Sequence, residues 1–243
     1  MSLKNSNLAQ AWLVLLLATL FGTALAGIQV KLGPVIEANK VKETKEKIPA
    51  LVLGEALAAE LAADNQSLTI KSRVIEVKKN ETTKYYTVYD AWLPDGKMAG
   101  HVVKADGQGY ADKIELLLGF DAQGKSITGL FVLDQKETPG LGAKILEDSW
   151  RGQFKEKSTD KALSVVKGGG AKEDQIDAIS GATISSRSVT GIVNTTVANV
   201  ASQLQVTGDS AEGASTEGSI DSTDNDKTPA VQNEEPNKNE ERS

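Results

Sequence analysis

Hydrophobic and polar positions change period several times along the chain. Ala11 to Val30 is a nearly unbroken apolar run whose only polar members are Thr19, Thr23 and Gln29, close to the roughly 20 residues that a helix needs to cross a bilayer. Val35 to Ala63 has helical composition, with an interruption expected at Pro49 and further punctuation at Gly54 and Asp64-Asn65. Alternating, β-branched segments then predict strands over Leu68–Lys78, Lys84–Trp92 and Lys97–Lys104, the last two joined by the turn Pro94-Asp95-Gly96. Lys113–Phe120 and Ser126–Asp134 read as a hairpin around Asp121-Ala122-Gln123-Gly124. Ala143–Phe154 reads as a helix, Ala162–Val166 as a strand and Gly168-Gly169-Gly170 as a turn. Val189, Ile192, Val193, Val197, Val200 and Leu204 recur at three-and-four spacing and predict a closing helix. Strands and helices do not alternate regularly, so the expected fold class is α+β with antiparallel strands.

The 243 residues are 40% hydrophobic, enough for one domain with appendages. From Thr207 onward the chain is Ser, Thr, Gly, Asp, Glu and Asn with almost no large apolar residue, a composition expected to stay disordered. That stretch holds 10 acidic and 3 basic residues against a whole-chain charge of −6. The remainder is therefore nearly neutral, which gives no support to nucleic-acid binding. The chain has no Cys and one His. Thiolate metal sites, iron–sulfur clusters, c-type haem attachment and disulfides are excluded, and no multi-histidine metal site is possible. His101, in the strand-like Gly100–Lys104, is expected to be an ordinary part-exposed histidine. Trp92 and Trp150 are assigned to the core, with Trp150 and Phe154 on one helix face.

The apolar run has two readings. Lys4 and Ala24-Leu25-Ala26 would suit a cleaved signal peptide, but the run continues past that site and exceeds a usual signal core, which favours an uncleaved anchor. Lys31, Lys40, Lys42, Lys45 and Lys47 follow the run, so a simple positive-inside count would put the domain in the cytoplasm. Glu37, Glu43 and Glu46 are interleaved with them, and long domains translocate largely regardless of charge.

Two stretches have phosphate-binding patterns. Gly119-Phe120-Asp121-Ala122-Gln123-Gly124-Lys125-Ser126 satisfies the P-loop formula, but that mechanism needs a helix directly after Lys125, whereas Ile127–Asp134 reads as a strand. Nucleotide binding there is rejected, and no Gly-x-Gly-x-x-Gly in a βαβ setting exists. Asp177-Ala178-Ile179-Ser180-Gly181-Ala182-Thr183 instead precedes the closing helix, placing Thr183 at a helix N-terminus whose free N–H groups and dipole favour an anion. The plain alternative is that Ser180, Thr183, Ser185 and Ser186 are only turn and cap residues.

Asp-x-x-Ser-Gly-Ala-Thr resembles the flavinylation motif of the FMN-binding domain family found in the G subunit of the Rnf electron-transport complex and in the C subunit of the sodium-translocating NADH:quinone reductase. Glu137-Thr138-Pro139-Gly140-Leu141-Gly142 and Gly107-Gln108-Gly109-Tyr110 resemble two further segments of that family, in the same order, over roughly residues 85–204. Ala111-Asp112 after the tyrosine departs from some members and leaves open what covers the outer flavin face. The resemblance implies one FMN per chain, esterified through its phosphate to Thr183, with Asp177, Ser180, Gly181, Ala182, Glu137, Thr138, Leu141, Gly142, Gly109 and Tyr110 around it. It implies no catalytic residue and no metal in this chain, a redox subunit rather than a stand-alone enzyme, partner membrane subunits of an Rnf-like complex, membrane lipid, and a separate flavin transferase. The domain would lie on the extracytoplasmic side. The resulting organisation is a short segment 1–10, an anchor 11–30, a lead-in 31–84, the FMN-binding domain 85–206 and the acidic tail 207–243. The near alternative is a C-type subunit of a sodium-translocating NADH:quinone reductase, and a reading of another class is a non-redox extracytoplasmic binding domain in which the hydroxyl-rich motif is only a helix cap.

Overall fold

The computed structural model describes residues 7–79, 82–169 and 172–205. The expected acidic tail, most of the short N-terminal segment and Gly170 of the glycine turn lie outside these residues. The apolar run belongs to one helix, α1 (Asn7–Leu53), which is long and apolar enough to cross a membrane. The expected interruption at Pro49 does not occur, since α1 passes through both Pro34 and Pro49. A proline inside a helix costs about 3 kcal/mol. Beside Pro49, however, Ile48, Leu51 and Val52 are 0%, 7% and 7% exposed, and each such burial stabilises by roughly 1.5–3 kcal/mol. Packing outweighs the breaker. Gly54, at φ 82, ends the helix and α2 (Glu55–Ala63) comes next.

Five strands form one antiparallel meander: β1 (Thr69–Lys79), β2 (Thr82–Trp92), β3 (Met98–Gln108), β4 (Lys113–Phe120) and β5 (Ile127–Asp134), in spatial order β1-β2-β3-β4-β5. The end of α1 covers one face, where Ile48, Leu51 and Val52 meet Tyr89, Val102 and Leu117. The closing helix, α4 (Thr183–Gln205), covers the other with Val189, Val193 and Val200 against Leu116, Leu118 and Phe120. Burial on both faces explains why β4 reads as a continuous apolar run rather than an alternating one. Ser126 leads into β5 and not into a helix, as the rejection of the P-loop pattern required.

The helix expected over Ala143–Phe154 is broken into a 3-10 turn (Gly142–Leu146), the short α3 (Asp148–Arg151) and a second 3-10 turn (Gly152–Phe154). Ile145, Trp150 and Phe154 are all buried. At about 100° per residue, Ile145 and Phe154 would point to opposite sides of a straight helix, so only a bent path buries all three. The Trp150 and Phe154 rings meet edge-on at 5.3 Å. Two three-residue strands, β6 (Ser164–Val166) and the unexpected β7 (Gln175–Asp177), pair in parallel. Trp92 is half-buried with Lys71 above its ring, and so is not the core residue expected.

His101 is likewise not part-exposed. It is fully buried, its Nδ1 2.5 Å from Asp90 Oδ1, while Arg73 Nε donates to Asp90 Oδ2 at 2.7 Å. Burial pushes the Asp90 carboxyl upward, but the hydrogen bonds to His101 and Arg73 outweigh it and hold the group below the usual aspartate range.

Candidate functional site

Three segments meet at one end of the sheet: the start of α4, the loop after β5 and the turn between β3 and β4. The first is prepared by β7, which delivers the chain into a turn with Gly181 at φ 80. Ser186 Oγ ties this turn from behind, accepting the Ile179 N–H at 3.0 Å and donating to the Ala182 carbonyl at 3.0 Å. Ala182 occupies the N-cap position and has no side-chain oxygen, so no side chain caps the N–H groups of Thr183, Ile184 and Ser185 among the described residues. A helix N-terminus left in this state favours an anion.

Glu137 joins the three segments. It is only 4% exposed; Oε1 accepts the N–H groups of Tyr110 at 2.8 Å and Ala111 at 3.1 Å, and Oε2 accepts the Ser185 hydroxyl at 2.5 Å. Two of the glycines are explained by this carboxylate. A Cβ at Gly142 would stand 2.7 Å from both Glu137 Oε2 and Ser185 Oγ, and one at Gly109 would clash with Glu137 Oε1 and stand 2.6 Å from the Asp112 carbonyl. The Glu, the glycines and the first turn of α4 thus form one packing unit drawn from distant parts of the sequence.

The segments enclose a cavity of about 510 Å³. Of the residues expected at the site, Tyr110, Glu137, Thr138, Leu141, Gly142, Gly181, Ala182 and Thr183 line it. Gly109 packs behind Glu137 instead. Ser180 is exposed on the turn before the helix and Asp177 stands outside the lining, with its Oδ1 accepting the Gly169 N–H at 3.1 Å. Lys167, Ile184 and Ser185 line the cavity and were not among the expected residues. Ser185 and Ile184 directly adjoin the motif, so adjacency could have marked them. Lys167 becomes legible only through the β6–β7 pairing, which sets its loop beside the motif. Tyr110, Leu141 and Ile184 are 62%, 46% and 55% exposed, giving the mouth an apolar rim around a base of N–H donors and one lysine. That arrangement suits a ligand with an anionic end and an apolar body.

Comparison with known proteins agrees with the geometry. The FMN-binding domain family matches residues 109–198. The chain is 37% identical over 149 residues to the G subunit of the proton-translocating ferredoxin:NAD+ oxidoreductase complex of Clostridium ljungdahlii, covering 59% of this chain and 78% of that protein. It is 33% identical over 181 residues to the G subunit of the Na+-translocating ferredoxin:NAD+ oxidoreductase complex of Acetobacterium woodii, covering 72% of this chain and 84% of that protein. The crystal structure of Shewanella oneidensis NqrC superposes with a TM-score of 0.56 at 20% identity, over 70% of this chain and 99% of that one, which shows the shared α+β fold.

Proposed function

This chain belongs to the FMN-binding family that includes the G subunits of ion-translocating ferredoxin:NAD+ oxidoreductases and the C subunits of Na+-translocating NADH-quinone reductases, and from that premise we propose that it is the FMN-carrying electron-transfer subunit of an Rnf-like membrane complex. One FMN is joined through its phosphate to Thr183 Oγ1. The observation that carries this reading is the cavity itself, where Thr183 stands among uncapped first-turn N–H groups beneath an apolar rim. The residues fit the group: N–H donors and Lys167 match a phosphate, and Tyr110, Leu141 and Ile184 match a planar ring system.

When bound, FMN supplies reversible one- and two-electron chemistry that no side chain here offers. The chain's own part is to hold and shape. The first turn of α4 receives the phosphate end, Glu137 fixes the two loops against α4, and the rim excludes water from one side of the cavity. A threonine hydroxyl is a poor nucleophile without a base, and the family resemblance implies that a separate Mg-dependent flavin transferase makes the attachment from FAD. The transfer forms one bond between Thr183 Oγ1 and phosphorus and breaks the anhydride of FAD. AMP leaves, and the hydroxyl proton goes to the transferase.

Purified protein from cells that hold the transferase should stay yellow after denaturation and carry the mass of FMN less one water. Colour that washes out on denaturation would overturn the covalent link, and protein that never binds flavin would overturn the whole reading. α1 anchors the chain in the membrane beside the other subunits, with lipid around Ala11–Val30 and the domain on the extracytoplasmic face. Protease added from that side should clip the acidic stretch after Thr207. Protection under conditions that digest an external control would put the domain in the cytoplasm.

A further inference from the structure

The direction of α1 across the sheet determines which end of the domain meets the membrane. Lys40 Nζ lies 2.8 Å from Asp134 Oδ2 at the end of β5 and 3.3 Å from Glu115 Oε2 near the start of β4. Farther along α1, Lys47 Nζ stands 4.7 Å from the Phe131 ring centre, and Leu51 packs against Gly119 and Gly129 near the opposite hairpin. α1 therefore runs antiparallel to β5. On leaving the apolar run it first reaches the end of the sheet that carries the 109–112 and 135–141 loops, both of them walls of the cavity. α4 agrees with this direction: Thr183 opens it in the cavity, and Leu204 packs against Gly124 in the far hairpin.

Lys40 is the point of attachment. Among the described residues, no hydrogen bond or ion pair joins an earlier residue of α1 to the sheet, and the next anchored positions are the buried Thr44 and Ile48. The stretch from Val30 to Lys40 spans roughly 15 Å of helix. It contains Pro34, whose missing N–H removes one helix hydrogen bond and makes this the weakest point of the stretch against bending. Glu115 is also held by Lys104 at 3.6 Å and Lys113 at 3.3 Å, so the acceptor half of the contact is itself fixed.

We propose that Lys40, gripped by Asp134 and Glu115, is a positioning clamp that confines bending to the stretch around Pro34 and keeps the cavity end of the sheet nearest the membrane surface. The inference rests on α1 being a membrane anchor and does not require the flavin. Its consequence for electron transfer is direct, because a redox group held at Thr183 would then lie at the end of the sheet nearest the membrane-embedded partners.

The chain contains no cysteine, so single introduced thiols label cleanly. The full-length protein is labelled at Thr83→Cys, in the hairpin at the cavity end, or at Gln123→Cys, in the opposite hairpin, with a far-red donor outside flavin absorption. It is then reconstituted in vesicles that carry acceptor-labelled lipid headgroups. Energy transfer should be several-fold stronger from position 83 than from position 123. Lys40→Met should reduce that contrast at least by half. Lys40→Arg and the charge exchange Lys40→Asp with Asp134→Lys should both preserve it, which separates lost positioning from misfolding. Equal transfer from the two positions in the native chain would overturn this placement. An undiminished contrast in Lys40→Met and in Asp134→Asn with Glu115→Gln would overturn the clamp. Flavin content, read by mass on the same samples, should be unchanged throughout, so a failure of the flavin reading remains distinguishable.

Discussion

Two stretches of this chain carry glycines and hydroxyls in phosphate-binding patterns, and the structure treats them differently. In Gly119–Ser126 the turn consumes its own donors. Asp121 Oδ1 accepts the Lys125 N–H at 2.7 Å, Oδ2 accepts the Ser126 hydroxyl at 2.9 Å, and the Gly124 N–H bonds to the Asp121 carbonyl at 3.0 Å. The chain then enters β5, whose backbone donors are directed sideways along a strand rather than gathered at one point. In Ile179–Ser185 the internal bonds run behind the turn through Ser186, and the first N–H groups of α4 are left facing a cavity. The same residue types thus make a closed hairpin in one place and, in the other, a helix start whose N–H groups open onto a cavity. The element that comes after the glycine decides the outcome, because only a helix leaves a cluster of donors without partners at its start.

The sharpest way to break this contrast is substitution of its two hydroxyls. Thr183→Ala should lose covalent flavin completely, and Thr183→Ser should retain a fraction because it keeps a hydroxyl. Ser126→Ala and Lys125→Ala should load normally. In-gel flavin fluorescence and intact mass read all four, and an FMN adduct on the Thr183→Ala chain would sink the assignment.

The open site also depends on a buried carboxylate. Glu137→Ala would leave the N–H groups of Tyr110 and Ala111 and the Ser185 hydroxyl without their partner. The Ser185 hydroxyl is buried, whereas Tyr110 and Ala111 are exposed and their N–H groups can turn to water, so a loss of about 1–3 kcal/mol, the cost of one buried group left unsatisfied, is expected in urea unfolding, along with poor flavin loading. Glu137→Gln, which keeps one acceptor, should cost less. Equal stability of the Ala variant and the native chain would mean that the loops are held by something else.

The contrast also explains what was legible in the sequence. Strand lengths and hairpins could be read because alternation and turn residues act over a few positions, and β1 to β5 fall within a few residues of expectation. The helix start at Thr183 was legible because a helix period begins directly after it, whereas the flavin reading of the motif came from the family resemblance. Properties set by distant partners were not. Glu137 reads locally as one more polar residue in a Pro-Gly loop, although its carboxylate meets groups 26 to 48 residues away. Lys167 enters the cavity only through a three-residue parallel pairing too short to show a pattern. His101 sits in a strand whose alternation allowed either face, and its burial depends on Asp90 across the sheet. Pro49 misled because a local rule was outweighed by apolar residues packing against strands far later in the chain.

Asp90 offers a control at the far end of the sheet from the cavity. Its folded-state carboxyl is depressed relative to an ordinary aspartate near ~3.9. The stability it contributes is therefore complete above that unfolded value and is lost as pH falls through the lower folded value. Asp90→Asn should cost about 2 kcal/mol at neutral pH, in the range for a hydrogen bond to a charged group, and should flatten the acid limb of the stability curve below about pH 4. Flavin loading at neutral pH should not change. Loss of flavin in this variant would show that the two ends of the sheet are coupled and that the site is less local than its contacts indicate.

The smallest effect on the fold, and the finest test of the open site, lies at Gly181. Its φ of 80 is the left-handed region, and a Cβ there would stand 3.1 Å from Leu141 Cδ2 at the cavity mouth. Gly181→Val should cost only about 1–2 kcal/mol from the backbone, because nothing else crowds the position and the residue is exposed. The branched side chain would nevertheless push on Leu141 and narrow the approach to Thr183. Flavin incorporation should therefore fall while the unfolding curve shifts little. Gly181→Asn, which tolerates the same backbone conformation, separates strain from obstruction: it should fold as well as the native chain and still load less flavin. Normal incorporation in Gly181→Val would mean that the transferase reaches Thr183 without passing the Leu141 side of the mouth.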